Sequence, residues 1–286
     1  AKLKDPEEAA RHYEAIHALQ PGDAEALDAL ERYYERTRNW ERLVRVLVNR
    51  ISHVQTVAER LPLHMKAGTV FEEGLRDVVA AVENYKKALD IDPAHREALD
   101  ALSRIYESTE RWAEFIDITR RQVKITGDRS AKALLFFKCG SVMEAKFGKS
   151  EDAIRYYEAA IKTSSACLPA VHGLRDLYLR REEWQKVLET LELEVKLWQE
   201  NKERAGVFAR MGRIYEEHLR DLDKAVHYYK AAVSVDVECM PAIRALFDVA
   251  FKREDWEEAS RLSQNLSQKA LREGEPALRS DFYFKR

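Results

Sequence analysis

The 286-residue sequence is poor in the two residues that interrupt helices, with 10 glycines and 7 prolines. Inside a helix glycine costs about 1 kcal/mol and proline about 3 kcal/mol relative to alanine, so this scarcity favours long helices joined by short turns. An excess of either charge is also missing. The 48 basic and 50 acidic residues leave a formal net charge of −2, and no basic stripe marks a surface for duplex nucleic acid. Cysteine is scarce. Cys139, Cys167 and Cys239 make no CxxC pair, which excludes a disulfide framework and a Cys/His zinc site and leads us to expect reduced, packed thiols in a cytoplasmic setting. No apolar run approaches the ~18 residues of a membrane span, and no signal-like apolar segment is present. Catalytic signatures are absent too: the sequence contains no HExxH, GxSxG or GxGxxG, and its eight histidines show no ligand spacing. The FGKS at 147–150 lacks the glycine that a phosphate loop needs four residues earlier, where Met143 stands. We expect it to be an inter-helix turn with Ser150 as the N-cap. No enzyme activity, metal or cofactor is expected from this sequence.

What the sequence does contain is a long period. Trp40, Trp112, Trp184 and Trp256 stand at one constant interval, and Leu30, Leu102, Leu174 and Leu246 keep the same step. So do Tyr13, Tyr85, Tyr157 and Tyr229, and so do Gly68, Gly140 and Gly212. A strict period of this length means one structural unit repeated, each copy touching mainly its neighbours. Each unit contains two helix pairs. The first helix of the first pair carries apolar residues at i, i+3 and i+7: Leu27/Leu30/Tyr34, Leu99/Leu102/Tyr106, Val171/Leu174/Tyr178 and Ile243/Leu246/Ala250. The second helix opens on the tryptophan and continues with Leu43/Val44/Leu47, Phe115/Ile116 or Val187/Leu188. Asn39 and Asp255 suit an N-cap there, whereas Arg111 and Glu183 fill that place in the other copies. The tryptophans and tyrosines read as core, so that Trp112→Ala should cost roughly 3–5 kcal/mol. In the second pair the glycine is read as letting two backbones approach, opposite Ala81, Ala153 or Ala225, and Pro21 and Pro93 stop the helices before them.

The order Met211-Gly212, Tyr215, Ala225, Tyr229, Ala232, with Pro93 in an earlier copy, resembles the tetratricopeptide repeat (TPR) pattern W-x2-L-G-x2-Y…A-x3-F…P. It departs by one residue added in the inter-helix turn, at Leu219-Arg220-Asp221. The first pair is the weaker match, with Glu31, Ser103, Arg175 and Phe247 in the glycine column; the bulkier of these should splay their helices. The resemblance implies an all-α fold, a right-handed α-solenoid (superhelix) of antiparallel helix pairs running through residues 1–286 as a single domain. Its units are expected at about 1–57, 58–129, 130–201 and 202–273, with the start of a further repeat at 274–286. Leu3-Lys4-Asp5 aligns with Leu75-Arg76-Asp77, and ALRSDFYFKR at 277–286 with AKALLFFK at 131–138. Both ends then fall inside a repeat, so a piece of a longer array is expected, with self-association through open repeat ends as the alternative.

In TPR proteins the first helix of each pair lines the concave surface. By resemblance that surface comprises Asp28, Arg32 and Glu35; Met65, Thr69 and Glu72; Asp100, Arg104 and Glu107; Phe137, Ser141 and Glu144; His172, Asp176 and Leu179; Ala209, Arg213 and Glu216; and Arg244, Asp248 and Phe251. One TPR subclass clamps a peptide carboxylate with lysine and asparagine at fixed groove positions. Those columns here hold Asp28, Asp100, His172 and Arg244, or Arg32, Arg104, Asp176 and Asp248, so that clamp is missing. Phe137 and Phe251 are either anchors for a partner or half-covered by the adjacent repeat. His172 reads as a solvated groove histidine, and the pairs Glu72-Glu73 and Glu216-Glu217 as solvated surface. The resemblance implies a non-catalytic scaffold that binds partner proteins or peptides on its concave face. The alternatives are an RNA-binding or RNA-processing array of the half-a-TPR kind, or a regulatory segment of a larger protein; balanced charge counts against RNA.

Overall fold

The computed structural model describes residues 6–263; Leu3–Asp5, the tail from 277 and the further repeat expected at 274–286 lie outside the described residues. Among the described residues the regular structure is entirely helical. The chain divides into two compact units, Ala1–Asp128 and Arg129–Arg286. In the first, α1 (Pro6–Leu19), α2 (Ala24–Arg36), α3 (Trp40–His53), α4 (Val57–Thr69), a π-helical segment (Val70–Leu75), α5 (Val78–Ile91), α6 (Arg96–Ser108) and α7 (Trp112–Ile125) follow in order. In the second, α8 (Arg129–Ala145), α9 (Ser150–Thr163), α10 (Leu168–Arg180), α11 (Trp184–Leu197), α12 (Asn201–Glu217), α13 (Leu222–Val235) and α14 (Met240–Lys252) lead to helical residues 256–263. Within each unit every helix packs on the next in sequence, giving the stacked antiparallel pairs of an α-solenoid. In the second unit α8 also touches α10, and α12 touches α14. First helices of successive pairs thereby share one face.

All twelve residues of the first-helix stripes, from Leu27 to Ala250, are buried. The reason is geometric: i, i+3 and i+7 lie on one side of a 3.6-residue helix. The tyrosine column is equally buried at Tyr85, Tyr157 and Tyr229, and here the glycines take on a different role. A Cβ added at Gly68, Gly140 or Gly212 would lie 2.6 Å from the ring of Tyr85, Tyr157 or Tyr229, respectively. Each glycine is thus a seat for an aromatic ring rather than a backbone-to-backbone contact.

The tryptophan column departs from the core reading. Trp40, Trp112 and Trp184 are half-buried and Trp256 is 58% exposed. These rings sit at the first residue of the second helix and close its edge. Trp184 stacks on His218 at 3.6 Å between ring centres, and Trp40 occupies the space a side chain on Gly74 would need. The cost of Trp112→Ala is correspondingly revised to about 2–3 kcal/mol, since less surface is buried than in a full core site.

The added turn residue has a clear backbone signature. In the first pairs the N–H closing the turn reaches five residues back, as from Arg111 to Tyr106 (2.8 Å) and Glu183 to Tyr178 (3.0 Å). In the second pairs it reaches six back, from Asp77 to Phe71 (2.8 Å), Lys149 to Met143 (2.9 Å) and Asp221 to Tyr215 (2.9 Å). Each turn places one residue in the left-handed region: Arg38, Glu110, Glu182 and Glu254 in the shorter turns, and Arg76, Gly148 and Arg220 in the longer ones. The FGKS segment is such a turn, but Ser150 is already the first residue of α9; the cap position belongs to Lys149, which makes no side-chain cap bond. Asn39 and Asp255 do cap, accepting from the N–H of Arg42 and Glu258, and Arg111 and Glu183 do not. Cys139, Cys167 and Cys239 are buried, and none of them is in a disulfide.

Candidate functional site: the groove of the second unit

Neighbouring first helices expose residues one turn apart, so α12 and α14 line a common groove whose floor is the α13 tyrosine. A cavity of about 680 Å³ lies there, and its walls include Ala209, Arg213, Glu216, Arg244, Asp248 and Phe251. All six residues expected from the last two first helices are thus brought together. Met240, Pro241 and Ala245 add apolar wall, while Glu217 and Lys252 add one charge of each sign. Ala209 is buried, so it acts as packed wall rather than as an exposed contact. Phe251 is half-buried, packed between Phe247 and Trp256, whose ring meets it edge-on at 5.3 Å. The Tyr229 hydroxyl donates to Glu216 at 2.8 Å, and Lys252 stands 3.6 Å from the same carboxylate. Burial, reinforced by that bond to Glu216, pushes the Tyr229 hydroxyl well above the usual tyrosine range. It therefore stays a donor at neutral pH. The groove offers three cations, three carboxylates and an apolar wall, which can hold a polypeptide carrying both charges and an apolar side chain.

Elsewhere in the second unit the expected residues are largely occupied by their own repeat. Phe137 is half-buried and stacked on Tyr157 at 5.8 Å, so packing by the repeat is what the structure shows. Glu144 accepts from Tyr157 (2.8 Å) and pairs with Arg180. Asp176 binds Arg175 at 2.9 Å. Ser141 is half-buried, and Leu179 is exposed.

In the first unit the same holds. Asp28 pairs with Arg50 (2.5 Å), Glu35 with Lys66 (2.8 Å) and Glu72 with Arg104 (2.7 Å). Asp100 accepts from Gln122 at 2.6 Å, and Thr69 bonds the Met65 carbonyl at 3.1 Å. Arg32 and Glu107 are exposed, and Met65 is half-buried. Glu72 and Glu216 are not simply solvated surface as the sequence suggested. Each is mostly buried and accepts a tyrosine hydroxyl, from Tyr85 (2.9 Å) and Tyr229 (2.8 Å).

Sequence reasoning missed a recurrent polar network. In the first unit Glu31, in the weak glycine column, receives both Arg50 (2.7 Å) and Lys66 (2.8 Å). Two periods further along, the same columns hold Arg175, Glu194 and Arg210, with the charges of the first two inverted. Glu194 on α11 is 2% exposed and binds Arg175 at 2.8 Å and Arg210 at 2.7 Å, with His172 Nε2 at 3.3 Å. Burial alone would raise the Glu194 carboxyl, but Arg210 and Arg175 outweigh it and hold it below its ordinary 4.5. Glu31 and Arg175 of that column are therefore polar partners for the second helix of their own pair, whereas Phe247 joins the apolar core. Glu31 and Arg50 are separated in sequence by the same interval as Arg175 and Glu194. The signal that could have found them was therefore present, as a charge inversion between aligned columns. His172, accordingly, is part of a cluster and not a merely solvated groove residue.

Two stretches, residues 26–61 and 205–237, match models of the tetratricopeptide repeat. Superkiller protein 3 of Schizosaccharomyces pombe is 22% identical over 188 residues, 64% of this chain; the chain spans 12% of that relative's length. A chain in the structure of Naa15/Naa10 bound to HypK-THB superposes with a TM-score of 0.56 at 13% identity, covering 94% of this chain and 40% of that one. The MamA protein is 22% identical with a TM-score of 0.43, covering 63% of this chain and 94% of its own. At such identities the structural likeness speaks for the fold alone. No helix among the described residues is long and apolar enough to cross a membrane. Repeat matches at 26–61 and 205–237, helix pairing and the glycine–tyrosine columns together show that this chain carries tetratricopeptide repeats.

Proposed function

We propose that the chain is a non-catalytic scaffold that holds a segment of a partner protein, and that the α12–α14 groove is its principal docking surface. The observation that carries this reading is the groove itself: Arg213, Arg244 and Lys252, Glu216, Glu217 and Asp248, and the apolar Phe251, Met240 and Ala245 line one cavity. Mixed charge of this kind fixes register and orientation, and the aromatic wall supplies desolvated contact area. The cavity with this mixed lining lies in the second unit, which directs the reading there. Three buried cysteines outside any disulfide support a reducing, cytoplasmic setting.

The test is selection of binders from a displayed peptide library on the purified chain, followed by affinity measurement against Phe251→Ala and Arg213→Glu. Selected peptides should lose about ten-fold or more with either change, the effect of removing an anchor or inverting a charge at the centre of an interface. Peptides that bind both variants as tightly as the parent would remove the groove from the proposal. Tight, salt-sensitive binding of single-stranded RNA, lost with Arg213→Glu, would replace the protein-scaffold reading.

A further inference from the structure

Tyr34, Tyr106 and Tyr178 stand in one column of the repeat, on α2, α6 and α10. All three are buried, Tyr106 at 1% exposure, so each hydroxyl calls for a partner. In two copies the preceding helix supplies it. Tyr34 donates to Glu14 of α1, which Arg42 of α3 also holds at 2.6 Å. Tyr178 donates to Glu158 of α9 at 3.3 Å, and Lys186 of α11 lies over its ring at 5.1 Å. The middle copy reverses both charges: Lys86 of α5 takes the column of the acid and Glu114 of α7 that of the base. Glu114 is held instead by Arg111 (2.6 Å), whose guanidinium covers the Tyr106 ring at 4.7 Å. The Tyr106 hydroxyl itself makes no hydrogen bond among the described residues. It lines a cavity of about 330 Å³ together with the buried Leu89, Leu102 and Ile118. Lys86, Asp90, Asp117 and Arg121 add exposed charge to that cavity, and none of the four is in an ion pair among the described residues.

We propose that this cleft takes a glutamate side chain of a partner polypeptide, whose carboxylate accepts the Tyr106 hydroxyl and pairs with Lys86. The partner thereby completes from outside the bridge that Glu14 and Glu158 make from within. A tyrosine hydroxyl and an ammonium are both donors, and together they select an anionic acceptor. The aliphatic stem of a glutamate suits the apolar wall of Leu89 and Ile118. Asp90 and Asp117 repel a second acid and call for a cation beside the first, which disfavours a free dicarboxylate. The charge pattern therefore fits a segment with a basic residue one helical turn from its glutamate. That spacing already exists in the flanking copy, where Glu158 and Lys162 occupy the columns of Lys86 and Asp90 with both signs opposite. Every residue of the cleft belongs to the first unit, so it stands or falls separately from the α12–α14 groove.

The probe is an alanine-based helical peptide of about 15 residues with one glutamate four positions before one lysine. It is titrated into the full 286-residue chain and followed by the NMR signals of the Tyr106 ring and the Leu89 and Ile118 methyls. We expect saturable shifts at these groups, with a Kd in the millimolar range or below. Glutamine for glutamate in the peptide, or Tyr106→Phe in the chain, should each weaken binding about ten-fold or more, the effect of losing a charge-assisted hydrogen bond. The double variant Lys86→Glu/Glu114→Lys, with helicity checked by circular dichroism, rebuilds the bridge of the flanking copy and should abolish binding. Tyr106→Phe keeps the ring and its packing, so it tests the site even if the charge-swapped chain fails to fold. No shift at about 10 mM peptide, equal binding of the glutamate and glutamine peptides, insensitivity to Tyr106→Phe, or full binding by the folded charge-swapped chain would each overturn the assignment. Glutarate binding as tightly as the peptide would overturn the polypeptide partner in favour of a small free acid.

Discussion

Replacing Glu194 by leucine removes the anion that Arg175 and Arg210 share, with the His172 ring beside it. Breaking a buried ion pair by deleting one partner typically costs about 3–5 kcal/mol, because the other charge stays desolvated. That range needs reduction here. Arg210 is 45% exposed and His172 35%, so both can turn to water, whereas Arg175 is only 14% exposed and cannot. The penalty is essentially the buried Arg175 guanidinium, left with Asp176 (2.9 Å) as its ion-pair partner, plus the lost indole contact from Trp198 (3.4 Å), which places Glu194→Leu at about 2–3 kcal/mol. Because a repeat array unfolds by neighbouring elements, the loss should concentrate in α10, α11 and α12. Native-state hydrogen exchange should show amides of those helices accelerating roughly 30- to 150-fold, at about 1.4 kcal/mol per decade, while α2 to α5 keep their rates. The double variant Glu194→Leu/Arg175→Leu removes both buried charges and should recover most of the loss, within about 1 kcal/mol of the parent. The reasoning fails if the single change costs less than about 0.5 kcal/mol, or if the double variant is no better than the single.

Three further expectations can be checked by denaturant or thermal unfolding. Gly140→Ala should cost about 1–3 kcal/mol because its Cβ meets the Tyr157 ring, whereas Gly206→Ala, inside α12 with nothing within 4 Å, should gain up to about 1 kcal/mol from helix propensity. Equal signs for the two would show that the glycine column does not seat the tyrosines. At the left-handed turn positions, Glu110→Gly or Glu182→Gly should stabilise by roughly 0.5–1 kcal/mol and Gly148→Ala destabilise by a similar amount; the opposite pattern would deny the turn geometry. The tyrosine–glutamate bonds predict alkaline lability. Burial, with Glu72 adding to it against the Thr69 bond, pushes Tyr85 up to about 12 from an ordinary 10.0, and burial together with Glu158 pushes Tyr178 up to about 12. A raised tyrosine pKa means the folded state holds its proton more tightly. The stabilisation is therefore complete below about pH 10 and is lost between about pH 10 and 12, by about 2–3 kcal/mol per tyrosine. Tyr85→Phe should flatten that decline by its share, and an unchanged alkaline limb would refute the assignment.

How much was legible in the sequence differs by residue class. The apolar stripes were fully legible, since burial of Leu30, Leu102, Leu174 and Leu246 follows from helical periodicity repeated in register. The extra turn residue at Leu219-Arg220-Asp221 was legible as a length difference, and it emerged as a backbone bond reaching six residues back instead of five. The tryptophans misled because periodicity reports recurrence and not depth: the first position of a second helix lies at the edge of the stack, where Trp184 covers His218 and Trp256 is exposed. Of the expected groove residues, the last six were brought together by the first-helix rule. In the first unit Asp28, Glu35, Glu72 and Arg104 were drawn into ion pairs whose partners lie on other helices and which no local pattern signals.

By itself the sequence determined the period, the helices, the core faces and the repeat type, because these depend on short spacings along one helix and on their recurrence. Only the tertiary structure decided which polar groups are free to meet a partner. That depends on side chains from different helices meeting across a helix pair: Glu31 with Arg50, and Arg175 with Glu194.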